Sequence, residues 1–176
     1  MGKGTSLIDA ATVENWLTRM SDELRADLGP AAIPELGIVG IYTGGVRVAE
    51  QLHSRLRLTL PMGTLDISFY RDDFSHIGLN PQVKTSHIPF DVEGRTIVLV
   101  DDVLYSGRTT RAALNTLFDY GRPARVILCV LIEREGHELP IRADIKGQTL
   151  ALRVDQQVKL NKEDLGMTIM EAESRA

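Results

Sequence analysis

The chain has 176 residues, including 20 Lys or Arg and 24 Asp or Glu, which gives a formal net charge of −4. This length fits one domain with a full core. The acidic balance argues against a chain built mainly to bind polyanions. The sequence has no signal-type leader and no apolar stretch of membrane-spanning length, so we expect a soluble, cytosolic protein. The single cysteine, Cys129, lies in an apolar run, which excludes an intrachain disulfide and favours a packing role.

The first half of the chain predicts two helices and two strands. Apolar residues recur at helical spacing from about Ala10 to Asp27, after a candidate helix cap at Asp9. A buried strand is predicted at 36–41, followed by a glycine loop and an amphipathic helix from Val46 to Leu56. A further strand is predicted at 65–70.

The second half continues the alternation of strands and helices. A long polar stretch at 71–87 has no clear period, and such loops in compact domains are usually functional lids or disordered segments. We then predict a strand at 97–100, a helix at 110–120 and a strand at 126–132, which together indicate a parallel sheet with right-handed crossovers. Residues 133–160 are strand-like and turn-like, and are expected to form a small accessory lobe over the carboxyl edge of the sheet.

The most informative segment is 96–109, which reads T-I-V-L-V-D-D-V-L-Y-S-G-R-T. Asp101 and Asp102 follow a fully apolar strand, at the edge where open α/β sheets bind ligands. A short loop then leads into a helix, whose first backbone N–H groups suit a phosphate. Two acids alone would be read as a solvated turn with a helix cap, but the full arrangement predicts a ribose 5-phosphate site. Its loop residues are Leu104, Tyr105, Ser106, Gly107, Arg108 and Thr109.

This segment resembles the phosphoribosyl pyrophosphate (PRPP) motif of type I phosphoribosyltransferases. The resemblance implies a single domain over 1–176, with a mostly parallel sheet flanked by helices, a hood made from parts of the N-terminus and 133–160, and a flexible lid. It implies that Asp101 and Asp102 bind the ribose hydroxyls and that the loop binds the 5-phosphate. Mg²⁺ is expected on the pyrophosphate and the ribose hydroxyls, near the two acids.

A second strand-to-helix loop, Thr43-Gly44-Gly45, is predicted at the same end of the sheet. On its own it would be read as a plain tight turn, but glycine also allows the backbone to approach an anion closely. The resemblance assigns the loop to pyrophosphate. Relatives often have Arg at the position of Gly44, so another cation must supply that charge. Arg71, at the start of the predicted lid, is the first candidate and is expected to take part in catalysis, ahead of Lys84.

Glu133 and Arg134 follow the next predicted strand, again at its carboxyl end. The resemblance places the base here and implies a metal contact through water for an acid at this point. Relatives usually have Asp where this chain has Glu133.

The sequence E-L-P-I-R-A-D at 138–144, after G-R-P at 121–123, resembles the family of pyrimidine operon attenuation proteins that are also uracil phosphoribosyltransferases. This resemblance implies an enzyme that makes UMP and pyrophosphate from uracil and PRPP. It also implies binding of a stem-loop in pyrimidine (pyr) leader mRNA in response to UMP. The candidate RNA-binding residues are Thr18, Arg19, Arg142 and Lys146.

Two positions differ from relatives that bind RNA. Asp22 stands where they usually have His, and a carboxylate repels phosphate. Gln148 stands where they typically have Lys, and the Pro-Thr pair that follows in them is missing.

Three interpretations therefore remain open. The first is a uracil phosphoribosyltransferase, with or without regulation. The second is an RNA-binding attenuator with minor enzymatic activity, and the third is a phosphoribosyltransferase for another base, such as a purine. The intact PRPP motif favours the enzyme. We also expect a homodimer or a larger homo-oligomer, since two-fold pairing is the commonest assembly.

Overall fold

The computed structural model of the chain describes residues 5–68 and 86–171. Most of the predicted lid at 71–87, including Arg71 and Lys84, lies outside these residues. Of the lid, only Ser86 and His87 are described, and His87 forms a β-bridge with Thr64. None of the described helices is long and apolar enough to cross a membrane.

In chain order the described elements are β1 (Ser6–Ile8), α1 (Ala10–Leu28), β2 (Gly37–Ile41), α2 (Gly44–Leu56), β3 (Gly63–Leu65), β4 (Thr96–Leu104), α3 (Arg108–Phe118), β5 (Arg125–Arg134), β6 (Ile145–Leu150), β7 (Gln156–Leu160) and β8 (Met167–Glu171). They alternate between strands and helices as far as β2 and α2 and again around α3, whereas the last four elements are all strands; a 3₁₀ turn lies at Ile33–Glu35.

The main sheet has five parallel strands in the order β3-β2-β4-β5-β6. Helices cover both of its faces, as a parallel sheet requires. Val98 and Val100 of β4 pack with α1 and α2, whereas the alternate residues Ile97 and Leu99 pack with α3. The predicted fold, a mostly parallel sheet flanked by helices, is confirmed.

The first helix is confirmed at both ends. Asp9 is its cap, and its carboxylate accepts a hydrogen bond of 2.7 Å from the Thr12 N–H. The helix ends at Gly29, whose φ of +75° lies in the region that favours glycine. By contrast, the predicted strand at 65–70 overlaps the observed β3 only at Leu65, and residues 69–70 lie outside the described part of the chain.

The strand of the acidic motif is longer than the sequence predicts. Both acids belong to β4, which continues to Leu104 because β5 is also long and pairs with it up to Glu133. The following helix begins at Arg108 rather than at residue 110, since Gly107 already turns the chain with a φ of +91°. The acids therefore belong to a strand instead of a loop. This strand pairs with β5 at Asp101 and Val103, and it extends past the end of its pairing with β2 at Val100.

The expectation that 133–160 lies outside the alternation is partly wrong. Ile145–Leu150 pairs in parallel with β5 and forms the edge of the main sheet. The connection between these strands contains no helix among the described elements, so the periodicity of the sequence does not reveal a crossover. Gln156–Leu160 belongs instead to a small antiparallel sheet in the order β1-β8-β7, which joins the start of the described chain to its end.

Candidate active site

The predicted pyrophosphate loop lies directly against the paired acids. A Cβ on Gly44 would overlap the Asp102 carboxylate, and one on Gly45 would lie 2.5 Å from the Val100 carbonyl oxygen and 2.9 Å from the Asp101 Cα. The peptide between Tyr42 and Thr43, which precedes these glycines, is cis. Two successive glycines therefore allow α2 to start in contact with the end of β4. We call residues 43–45 and 101–102 the acid–glycine edge.

Each acid is oriented by the backbone that follows it. Asp101 is 7% exposed, and its Oδ1 accepts a hydrogen bond of 2.8 Å from the Asp102 N–H. Asp102 is partly buried, and its Oδ1 accepts one of 2.9 Å from the Val103 N–H. Carboxylates held in this way present their remaining lone pairs in fixed directions, which suits recognition of vicinal hydroxyls.

The predicted phosphate loop is short and anchored. The carbonyl oxygen of Ser106 accepts hydrogen bonds from the N–H groups of Glu138 (2.9 Å) and Leu139 (3.0 Å). The hydroxyl of Ser106 accepts one of 3.2 Å from the Arg108 N–H. Gly107 precedes α3 and supplies no side-chain cap. Apart from that of Arg108, the backbone N–H groups in the first turn of α3 can therefore serve a phosphate.

The side chain of Arg108 is directed at a carboxylate. Its Nε lies 2.8 Å from Oε2 of Glu138, in an ion pair that bridges the loop and the E-L-P-I-R-A-D segment. What Arg108 can offer to a phosphate is therefore chiefly its position in the first turn of α3.

A cavity of about 280 Å³ opens beside this loop, at the carboxyl ends of β4, β5 and β6. The guanidinium carbon of Arg134 lies 3.9 Å from the ring centroid of Tyr105, a distance at which a cation and an aromatic face attract each other. Arg134 is 7% exposed, and its Nη2 donates a hydrogen bond of 2.8 Å to the Arg153 carbonyl oxygen. The cavity wall also contains Glu133, Arg142 and Lys146.

Glu133 is a buried carboxylate with several partners. Lys146 donates to its Oε2 in an ion pair, the Ala143 N–H donates to its Oε1 at 3.3 Å, and Arg142 Nε lies 4.0 Å from Oε1. The side chain of Glu133 is only 8% exposed, while Lys146 and Arg142 are about half exposed at 43% and 55%. No group of three or more possible metal ligands occurs in the described part of the chain.

The four candidate RNA-binding residues lie around β6 but on different faces of the sheet: Thr18 and Arg19 belong to α1, which packs against Gly147, whereas Arg142 and Lys146 lie with Glu133 at the cavity. Arg19 of α1 donates to the carbonyl oxygen of Gly147 in β6 and lies 3.6 Å from Glu23. The Thr18 hydroxyl donates at 3.0 Å to the Glu14 carbonyl oxygen within α1. Lys146 stands on the neighbouring strand and reaches Glu133, as described above. Asp22 pairs with Arg25 at 3.2 Å, and Gln148 is exposed.

The sequence missed two contacts in the cavity. Lys146 was predicted as an RNA contact, yet its ammonium binds Glu133, thirteen residues away. The stacking of Arg134 on Tyr105 joins the ends of β5 and β4. The sequence does not reveal these contacts, because residues on neighbouring parallel strands are far apart along the chain. The position of Glu133 directly after a predicted strand was the one sequence feature that indicated this region.

The family model described as "Phosphoribosyl transferase domain" matches residues 9–162. The chain belongs to the phosphoribosyl transferase family. It is 57% identical over 144 residues to the bifunctional protein PyrR of Pseudomonas aeruginosa strain LESB58, covering 82% of this chain and 85% of that protein. The bifunctional protein PyrR of Pseudomonas putida is 56% identical over 144 residues, covering 82% and 84%. The predicted family is confirmed, and the chain belongs to the PyrR proteins within it.

Solved structures support the fold independently of close sequence similarity. A hypoxanthine phosphoribosyltransferase from Trypanosoma cruzi superposes with a TM-score of 0.76 at 17% identity, over 99% of this chain and 98% of that one. The predicted type I phosphoribosyltransferase fold is confirmed. At this identity the likeness concerns the fold alone.

Proposed function

We propose that the chain is a uracil phosphoribosyltransferase, which makes UMP and pyrophosphate from uracil and PRPP. The acid–glycine edge carries this proposal, because it joins a loop suited to pyrophosphate to two carboxylates suited to ribose hydroxyls. The phosphate loop directly follows the strand that carries the acids. One PRPP molecule could therefore contact the glycine loop, the two acids and the phosphate loop together. Family membership with bifunctional PyrR proteins supports the same activity.

In the reaction, the bond between the ribose C1 and pyrophosphate breaks, a bond from C1 to uracil N1 forms, and the N1 proton leaves to solvent or to pyrophosphate. Positive charge builds on the ribose ring in between. Asp101 and Asp102 hold the ribose hydroxyls close to this charge, and residues 43–45 receive the leaving group. Catalysis then rests on positioning and electrostatics. We assign Arg71 to the pyrophosphate in the closed state.

The acid–glycine edge suits a Mg²⁺ ion that is held indirectly. Asp101 and Asp102 supply hard oxygen atoms, and no third acidic or histidine ligand joins them in the described part of the chain. These residues would therefore hold the ion indirectly, through substrate oxygens and water. When bound, the ion neutralises charge on the pyrophosphate. Glu133 fits the water-mediated metal contact poorly, because Lys146 and Arg142 already balance its charge.

Product analysis tests the proposed activity. The purified protein is incubated with PRPP, Mg²⁺ and uracil, cytosine, adenine, guanine or hypoxanthine, and the nucleotide products are separated. We expect UMP and pyrophosphate in equal amounts. Formation of a purine nucleotide without UMP would overturn the proposal in favour of another base.

A second function is favoured by the similarity of the chain to bifunctional PyrR proteins. We propose that the chain binds a stem-loop of pyr leader mRNA in response to UMP, with Thr18, Arg19, Arg142 and Lys146 as the candidate contacts. Binding should be strengthened by UMP and should weaken steeply with salt. A labelled leader transcript that shows no shift at low salt, with or without UMP, would reject it. A homodimer in the cytosol is the proposed state for both functions, and light scattering tests the dimer.

A further inference from the structure

The cavity beside the phosphate loop has a wall rich in hydrogen-bond donors. It lies past the carboxyl ends of β4, β5 and β6, next to Tyr105. On the proposed function, on which this inference rests, a nucleotide whose 5-phosphate occupies residues 105–109 would place its base there. The residues in this wall thus decide which ring is accepted.

Lys146 is the best-placed donor in this wall. Its ammonium carries three N–H donors, and within the described residues Glu133 accepts one of them. Glu133 fixes the ammonium at the cavity because the carboxylate is itself fixed, being 8% exposed and bound by the Ala143 N–H at 3.3 Å. Lys146 remains 43% exposed, so it can still be reached by a ligand.

Glu133 is poorly placed to accept a hydrogen bond from a ligand, because both of its carboxylate oxygens already have partners in the protein. Its Oε1 accepts a hydrogen bond from the Ala143 N–H and lies 4.0 Å from the guanidinium of Arg142. Its Oε2 accepts a hydrogen bond from Lys146. Around Glu133 the wall therefore offers a ligand N–H donors, from an ammonium and a guanidinium, while the second carboxylate of the wall belongs to Glu135. A carbonyl oxygen of the base accepts hydrogen bonds from such donors. An exocyclic amine is itself a donor and forms no hydrogen bond with them.

We propose that Lys146, positioned by Glu133, determines base specificity by donating a hydrogen bond to a ring carbonyl oxygen. The oxygen is O4 of uracil, so cytosine is rejected, because it has an amine at C4 and keeps only its C2 carbonyl. The same cation stabilises the negative charge that spreads to the carbonyl oxygen as the N1 proton leaves. Lys146 thus acts on both recognition and proton loss of the base.

The test compares Lys146→Met, Lys146→Arg and Lys146→Gln, with Lys159→Met as control, since Lys159 is an exposed lysine of β7 outside the cavity. Lys146→Met should lower kcat/KM for uracil about 10- to 100-fold, the usual worth of a charged hydrogen bond. The KM for PRPP should stay unchanged. Lys146→Arg should retain most activity, and Lys146→Gln should narrow the preference for uracil over cytosine because its amide also accepts.

A second substrate separates recognition from a structural effect. The ring N–H of 5-fluorouracil is more acidic, so Lys146→Met should reduce turnover of 5-fluorouracil less than that of uracil. Melting curves are recorded for every variant, and activities are compared at a temperature where all are folded. An unchanged uracil KM and kcat in Lys146→Met, or an equal loss for both substrates with a raised KM for PRPP, would overturn the inference. Wild-type protein that makes no UMP would instead reject the proposed function.

Discussion

The acid–glycine edge and the cavity wall are built in different ways. The acid–glycine edge consists of two adjacent acids and of a loop whose backbone lies against them. This close packing is possible because Gly44 and Gly45 have no side chain. The cavity wall uses charged side chains from separate segments, held in place by Glu133. On the proposed function, recognition of the ribose and phosphates would therefore depend on the geometry of the main chain, and recognition of the base on an ion pair.

The largest effect is expected at the acid–glycine edge. Gly45→Ala would place its Cβ 2.5 Å from the Val100 carbonyl oxygen and force α2 away from β4. A displacement of about 1 Å can cost about 100-fold in rate, so we expect at least about that loss in UMP formation. Steady-state kinetics with uracil and PRPP measure it.

Gly94→Ala is the matched control. A Cβ at Gly94 meets nothing within 4 Å, but its φ of +68° strains a side chain. This variant should lose about 1 kcal/mol of stability and keep its activity. Equal activity in the two variants would refute the role given to close packing at Gly45.

The next effect concerns the cation over the aromatic ring in the cavity. Arg134→Met removes both the contact with Tyr105 and the hydrogen bond to the Arg153 carbonyl oxygen. Interactions of this kind contribute about 0.5–2 kcal/mol, so kcat/KM should fall about 3- to 30-fold. Tyr105→Phe keeps the ring and should remain active. If Tyr105→Phe lost as much as Arg134→Met, the hydroxyl and not the ring face would be the important part.

The acid–glycine edge could be predicted from the sequence to a larger extent than the cavity wall. The strand, the paired acids and the helix that follows are contiguous, so their order in the chain already gives their order in space. Even there, β4 is longer than predicted because pairing with β5 extends it to Leu104. The pair of Glu133 with Lys146 depends on β6 lying beside β5, and a strand added without an intervening helix leaves no periodic pattern from which to infer that.

A smaller effect should appear in stability and should be asymmetric. Among the described residues, Lys146→Met leaves the buried carboxylate with Arg142 and the Ala143 N–H, whereas Glu133→Gln leaves an ammonium that is 43% exposed and can be hydrated. We expect about 2 kcal/mol of destabilisation in the first case and about 1 kcal/mol or less in the second. Urea unfolding measures both, and the reverse order would contradict the assignment of Glu133 as the buried partner.

The smallest effect lies far from both regions, at the start of α1. The hydrogen bond from Thr12 lowers the pKa of Asp9 below its ordinary value of 3.8. Because the folded-state pKa is lowered, the ionised cap stabilises the protein above pH 3.8, and this contribution is lost as the pH falls through the lowered pKa.

Asp9→Ala should therefore melt slightly below the wild type at pH 7, with a difference that shrinks below pH 4. Asp9→Asn keeps a capping oxygen and should lie between them, and all three should have the same activity at pH 7. A difference between wild type and Asp9→Ala that grows as the pH falls would disprove the ionised cap.

The binding of PRPP tests the division between the two regions most directly. Titration calorimetry with Mg²⁺ compares the wild type with Asp102→Asn at the acid–glycine edge and Lys146→Met in the cavity wall. We predict that Asp102→Asn weakens PRPP binding at least about 10-fold, as loss of a charged hydrogen bond requires, and that Lys146→Met leaves it unchanged. Equal weakening in both variants, or unaltered binding in Asp102→Asn, would contradict the account.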